Sequence, residues 1–299
     1  MREAVPMGDD RLPDGGTVRG SDRERERTRG GLLRALTGGT VDLPGSIARL
    51  YLGACLAFIV APIAIIVAIS VTPEQFLTFP PNGFSLRWFD EVLSNADWQL
   101  ALLNSLVIAA GASVIAASIG LSLAFAIDRY DVRYTSFLRG IGVLPILIPP
   151  VIIGVAFMSY FFLIGVSGTL LNLVVAHGVF YSPFSLVLIS TGLDEMDRSV
   201  EEAAMNLGAT RWQTLRTVTF PIIRSNVFSG VLFAFILSLN EYIIAFLVSG
   251  FTVTTVPIKI FSSLRYSYSP TIAAISVLYI VLTTAVVATV EYYTGGIWN

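Results

Sequence analysis

The chain has one cysteine, Cys55, one histidine, His177, and one lysine, Lys259. A single cysteine excludes any disulfide within the chain. One cysteine and one histidine also make a structural zinc site implausible, because such sites take four nitrogen or sulfur ligands. The sole lysine sits in Pro257-Ile258-Lys259-Ile260, so no Gly-x-x-x-x-Gly-Lys-Ser/Thr phosphate loop exists. If the function uses ATP, another chain hydrolyses it. Charge is scarce as well: 13% of 299 residues are charged and 54% are hydrophobic, with a mean hydropathy of +0.73. Soluble domains carry about 25% charged residues. Most of this surface therefore faces lipid or other membrane-buried protein. The net charge of −2 gives no nucleic-acid signature.

What is present is a polar start followed by long apolar runs. Residues 1–46 are Gly-rich and charged, with alternating signs at Asp22-Arg23-Glu24-Arg25-Glu26-Arg27. They bury too little to fold and read as a disordered tail. Leu32-Leu33-Arg34-Ala35-Leu36 is a short amphipathic piece that could lie on a membrane surface. The polar opening does not read as a secretory signal. The membrane body is expected over 47–299.

Six runs come near the ~20 residues a helix needs to span a bilayer. They are about 47–71, 100–127, 137–164, 170–191, 222–248 and 271–293. Strand-type spans would be shorter and alternating, so the expected class is an all-α membrane protein of six transmembrane helices. The second run carries Ala109, Gly111, Ala112, Ala116 and Gly120, small residues suited to close packing. Pro145, Pro149 and Pro150 interrupt the third. The outer loop at 72–99 holds Phe84, Trp88, Phe89 and Trp98, read as aromatics at headgroup level.

Arginine placement sets the orientation. Arg129, Arg133, Arg139, Arg198, Arg211, Arg216 and Arg224 flank the loops on the side of the tail. Arg87, Lys259 and Arg265 fall on the other. Both termini and the loop at about 193–220 are therefore expected in the cytoplasm.

That loop is the organising stretch. It reads as two short helices: Ser199 and Glu202 at capping-box spacing, Gly208 at the end of the first, Thr210 and Gln213 repeating the box, and Pro221 at the entry of the fifth run. Glu202-Ala203-Ala204, Gly208 and Pro221 resemble the EAA loop of permease subunits in ABC importers, at the family's spacing, with Val218 and Phe220 as apolar substitutes for Ile and Leu. From about Tyr51 to Tyr293 the chain is similar to the second permease subunit of spermidine/putrescine-type importers, most closely at Ser238–Gly250 and Thr255–Ile260. Polyamine members usually carry two Asp where this chain has Asn240-Glu241.

The resemblance implies the type I ABC importer permease fold in a prokaryotic inner membrane. It also implies a related second permease subunit, forming a heterodimer, two ATP-binding subunits that hold ATP and magnesium, and an extracytoplasmic substrate-binding protein. Glu202, Ala203, Ala204, Gly208 and Pro221 would then couple to an ATPase subunit. This chain would bind no cofactor and catalyse nothing. The implied substrate is a polyamine or a related small cationic or polar solute. An opine, an amino acid derivative or a betaine-like solute is the alternative.

From the residues themselves, Glu241 in an apolar run is a functional candidate, because a carboxylate there must face a cavity or a partner. Asn240, Glu241, Tyr242 and Tyr160 are candidates to line a substrate path. A hydrogen bond or ion pair to a neighbouring helix is the competing reading for Glu241. His177 reads as a neutral ring bonded to a neighbouring helix. A membrane-embedded enzyme, built on Glu241, His177 and Tyr160, is the alternative from a different class. No nucleophile–base–acid set is evident in the sequence.

Overall fold

The computed structural model describes residues 45–129, 134–249, 251–266 and 269–294. The expected disordered tail, with its amphipathic piece, lies outside these residues but for its last two positions. The chain divides into two units, 1–61 and 62–299. Every regular element among the described residues is helical.

The helices in order are α1 (Gly45–Ser70), α2 (Arg87–Ser94), α3 (Ala96–Arg129), α4 (Thr135–Leu147), α5 (Pro150–Leu163), α6 (Leu170–Asp194), α7 (Arg198–Asn206), α8 (Arg211–Thr214), α9 (Phe220–Leu239), α10 (Ile243–Ser249), α11 (Val256–Tyr266) and α12 (Thr271–Thr294). A π-helical turn, Leu215–Thr219, joins α8 to α9. Among the described residues, five helical stretches are long and apolar enough to cross a membrane, with α8 through α9 counted as one of 29 residues.

The expected third span is instead a bent pair. α4 and α5 meet at 99° around Ile148 and Pro149. Pro149 holds an extended ψ of 137°, and Pro150 starts the next helix, where a missing N–H costs nothing. The expected fifth span, 222–248, also departs from a single helix: α9 stops at Leu239 and α10 begins at Ile243.

α3 and α6 form the central pair, and α9 packs on both. Ala109, Ala112 and Ala116 are almost fully buried along α3. Two glycines let the backbones meet. A Cβ on Gly120 would stand 2.6 Å from the Leu186 nitrogen, and one on Gly178 would stand 2.7 Å from the Ile115 Cβ. In lipid, apolar side chains gain nothing by leaving the solvent, so close backbone approach supplies the packing.

Trp88 and Trp98 are buried, not interfacial as the sequence suggested. The Trp88 indole donates to the Thr72 carbonyl at 2.8 Å, and both rings pack with Val256, Ile275 and Tyr279 in a core under the loop at 72–99. A partner for the indole N–H inside the protein removes its reason to seek the interface.

Candidate functional site

The segment between α6 and α9 is built from capped short helices. Asp197, two residues ahead of the expected Ser199, caps α7; its carboxylate accepts from the Ser199 amide at 2.9 Å. That backbone bond holds the Asp197 carboxyl below the ordinary aspartate range. Aspartate caps as well as serine does, and the loop from α6 reaches the earlier residue first. Gly208 follows at φ +95°, a left-handed conformation with open space around its Cα. The need for glycine there comes from the backbone alone. The second expected capping box is present: the Gln213 amide donates to the Thr210 hydroxyl at 3.3 Å, and the Thr210 amide donates to Gln213 Oε1 at 2.8 Å.

α8, the π turn and α9 run on as one helix. Pro221 is the second residue of α9. A proline inside a helix lacks its donor and crowds the carbonyl four residues earlier. The π turn immediately before it widens the ladder, with the Phe220 amide reaching the Leu215 carbonyl. Pro221 is thus not the start of a new helix but lies within a continuous one, just beyond a wide turn.

Glu202, Ala203 and Gly208 face outward, Ala204 is half-buried and Pro221 is exposed. Leu207 and Trp212, 90% and 68% exposed, extend the same outward surface in apolar form. Sequence reasoning passed over both. It also passed over Glu201, which points the opposite way and is 3% exposed. Both terminal guanidinium nitrogens of Arg129, at the end of α3, donate to its carboxylate, as does the Thr219 hydroxyl from the π turn. Arg129 Nε lies 3.1 Å from Asp128, and Asp128 holds Arg198, the first residue of α7, at 2.5 Å. The Arg129 hydrogen bonds hold the Glu201 carboxyl below the usual glutamate value against the opposing effect of burial. A cavity of about 460 Å³ opens beside this cluster, lined by Phe125, Arg129, Arg198, Glu201, Met205 and Arg211 among others. The helical spacing Arg198, Glu201, Met205 is the signal that could have found this inner face.

At the break in the fifth span, Glu241 is buried, and its two oxygens accept from the Ile244 and Ala245 amides at 2.9 and 2.8 Å. It caps α10, and so satisfies donors that no water reaches. His177 Nε2 stands 3.4 Å from the same carboxylate, and its Nδ1 is 2.8 Å from the Ser238 hydroxyl. The expected bond of His177 to a neighbouring helix is therefore found, on α9. A serine–histidine–carboxylate string exists that the sequence did not reveal. All three residues are buried, and both Glu241 oxygens are occupied by the helix end.

Asn240 is exposed and donates to the Ile236 carbonyl at 2.8 Å. Tyr242 stacks on Phe261 of α11 at 4.0 Å. Tyr160 of α5 is 56% exposed, and its ring neighbour is Phe161. Asn240, Glu241 and Tyr242 are thus brought together at the break, while Tyr160 sits on a different helix with its ring against Phe161. A second cavity of about 480 Å³ lies beyond α10, lined by Asp97, Phe246, Phe251, Lys259 and Arg265 among others. Lys259 pairs there with Asp97 at 3.3 Å.

Residues 116–297 match the family model described as binding-protein-dependent transport system inner membrane component. The chain belongs to that family. The putrescine transport system permease protein PotI of Escherichia coli strain K12 is 35% identical over 245 residues, 80% of this chain and 86% of its own. The spermidine/putrescine transport system permease protein PotC of Haemophilus influenzae is 30% identical over 232 residues, 77% of this chain and 90% of its own. Among solved structures, a bacterial ABC transporter involved in the import of the acidic polysaccharide alginate matches with a TM-score of 0.64. That match, at 18% identity, covers 83% of this chain and 95% of the other, and is a likeness of fold. The permease has the type I ABC importer fold.

Proposed function

We propose that this permease is one half of a heterodimeric pore that imports a polyamine of the putrescine or spermidine type. One of two ATP-binding subunits would engage the face formed by Glu202 and Ala203 of α7 and by Leu207 just beyond it, on the cytoplasmic side where both termini lie. A substrate-binding protein would deliver the solute from the other side. ATP and magnesium belong to the partner subunits, and this chain catalyses no reaction. The observation that carries the reading is the unbroken helix from Arg211 to Leu239. Through it, a push on the capped loop reaches the break at Asn240–Tyr242 directly. Glu202 offers an exposed carboxylate to a partner cation, and the small Ala203 lets that partner approach the backbone. The names of the relatives at 35% and 30% identity support the substrate class.

A second substrate reading is favoured by one observation. Glu241 is buried with its oxygens bonded to the α10 amides, and the group exposed at the break is the neutral amide of Asn240. An amide N–H suits a solute that carries a carboxylate, which supports an opine, an amino acid derivative or a betaine-like solute.

The test is purification from native membranes with wild-type and Glu202→Arg chains. A second permease and an ATPase chain should copurify with the wild type. The variant should lose the ATPase chain while keeping the permease. Retention of the ATPase by Glu202→Arg refutes the assigned docking face. Stimulation of ATP hydrolysis by binding protein loaded with putrescine, and not with glycine betaine, selects the polyamine reading; the reverse selects the alternative.

A further inference from the structure

We propose that Glu201 is the joint that makes the EAA helix and the second span move as one body. This inference rests on the importer reading above and names a positioning residue for it. Three elements converge on its carboxylate. α7 supplies the side chain, the end of α3 supplies the Arg129 guanidinium, and the π turn supplies the Thr219 hydroxyl. Asp128 closes the loop, holding Arg129 through one oxygen and Arg198 through the other. α7 is thereby tied to α3 at Arg198 and at Glu201, one turn apart on the same face.

The rest of α7 offers little else to fix it. Val200, Glu202, Ala203, Met205 and Asn206 are exposed, and α7 packs only on α8 and the π turn among its stronger neighbours. An apolar contact could slide under load. A guanidinium gripping a buried carboxylate with two parallel bonds resists that, because its directions are fixed and breaking it strands a desolvated charge. α3 is also the helix that lies against α6 and α9 at the centre of the fold. A displacement of α7 therefore reaches the bundle by two routes: along the chain into α9, and across Glu201 into α3. The exposed Glu202 next to it does neither.

The experiment uses the complete transporter, with both permeases and the ATPase subunits, in a Cys55→Ala background. Spin labels at Val200→Cys on α7 and Ser122→Cys on α3 report their separation with and without ADP–vanadate, which needs no substrate. In the otherwise unaltered chain that separation should stay narrow and unchanged on trapping. In Glu201→Gln it should broaden and shift, and solute carried per ATP should fall about tenfold, within the usual span of coupling between sites. The exchanged pair Glu201→Arg with Arg129→Glu should recover part of the loss, and Glu195→Gln, an exposed carboxylate of the same loop, should change neither readout. Should Glu201→Gln not assemble, Thr219→Val removes one of the three bonds at similar volume and should broaden the distances by less. Distances identical to the parent in whichever of these variants assembles overturn the joint, as does a parent separation that changes on trapping. A parent complex that hydrolyses no ATP overturns the importer reading instead.

Discussion

Glu201 and Glu202 are neighbours in sequence and opposites in environment. One carboxylate is buried against Arg129 and Thr219, and the other faces outward. Their contributions to stability should differ accordingly. Because the folded protein holds Glu201 below the ordinary glutamate value, its proton is bound more readily in the unfolded chain. Its stabilisation is then full above about pH 4.3 and is lost as pH falls through the lower folded value. Glu201→Gln should cost about 1–3 kcal/mol at neutral pH. The gap in thermal midpoint between the two proteins in detergent should hold from neutral pH down to the ordinary carboxylate range and close below it. The same scan on Glu202→Gln should show a much smaller gap at every pH. At the other site, Glu241→Ala removes the cap of α10 and leaves the Ile244 and Ala245 amides unpaired in a buried place. A loss of about 2 kcal/mol or more is expected in denaturant titration. Glu241→Gln, which keeps one acceptor, should lose less.

At the scale of elements, the sequence was informative where chemistry is local. Gly208, Thr210 and Gln213 predicted a helix end and a helix start from backbone and hydrogen-bonding needs alone, and both are where they were expected. Hydropathy located the first, second, fourth and sixth spans to within a few residues, because crossing a bilayer needs length and little else, but it placed the fifth about ten residues late and missed the bend in the third. The break at Asn240–Tyr242 was invisible to it. Apolar composition continues through the break, and only the fold shows that Glu241 turns back onto the next helix. The choice between Glu201 and Glu202 was also hidden, since the motif names the outward residue and burial of its neighbour depends on Arg129, 72 positions away. The π turn was unreadable for a similar reason: it holds one residue more than an α turn, and Pro221 alone could not say whether a helix began or continued. Inserting one alanine after Ile223, within the α geometry of α9, should rotate the capped loop by about 100° relative to the rest of α9. Stimulation of the ATPase by the binding protein should be lost while the protein still reaches the membrane. Unchanged stimulation would show that the angular register of the loop is irrelevant.

For the whole molecule, the contact of α3 with α6 is the most extensive between helices among the described residues. The small residues of the second run predicted close packing, and Gly120 and Gly178 supply it. What the sequence could not give was the partner: nothing in α3 specifies α6 over the other spans, because lipid and protein present similar apolar surfaces to it. Gly120→Leu would drive a side chain into the Ser185–Leu186 backbone. Overpacking of this kind costs about 1–3 kcal/mol or more. The variant should show a lowered unfolding midpoint in detergent and reduced copurification of any partner permease. Gly53→Leu, at a position with open space, should show neither.

The stretch Arg211–Leu239 has one further property. At 29 residues and about 1.5 Å per residue it is a rod of about 43 Å. A rod of that length converts angle into distance. A tilt of about 5° around one end carries the other end about 4 Å, close to the width of a small cation's passage, without any hydrogen bond in the rod being broken. The break at Asn240–Tyr242 ends that arm, so α10, bedded against α5 and α6, is not part of the rod. Leverage of this kind needs a stiff arm and a separate seat beyond its end, and the two lie end to end here.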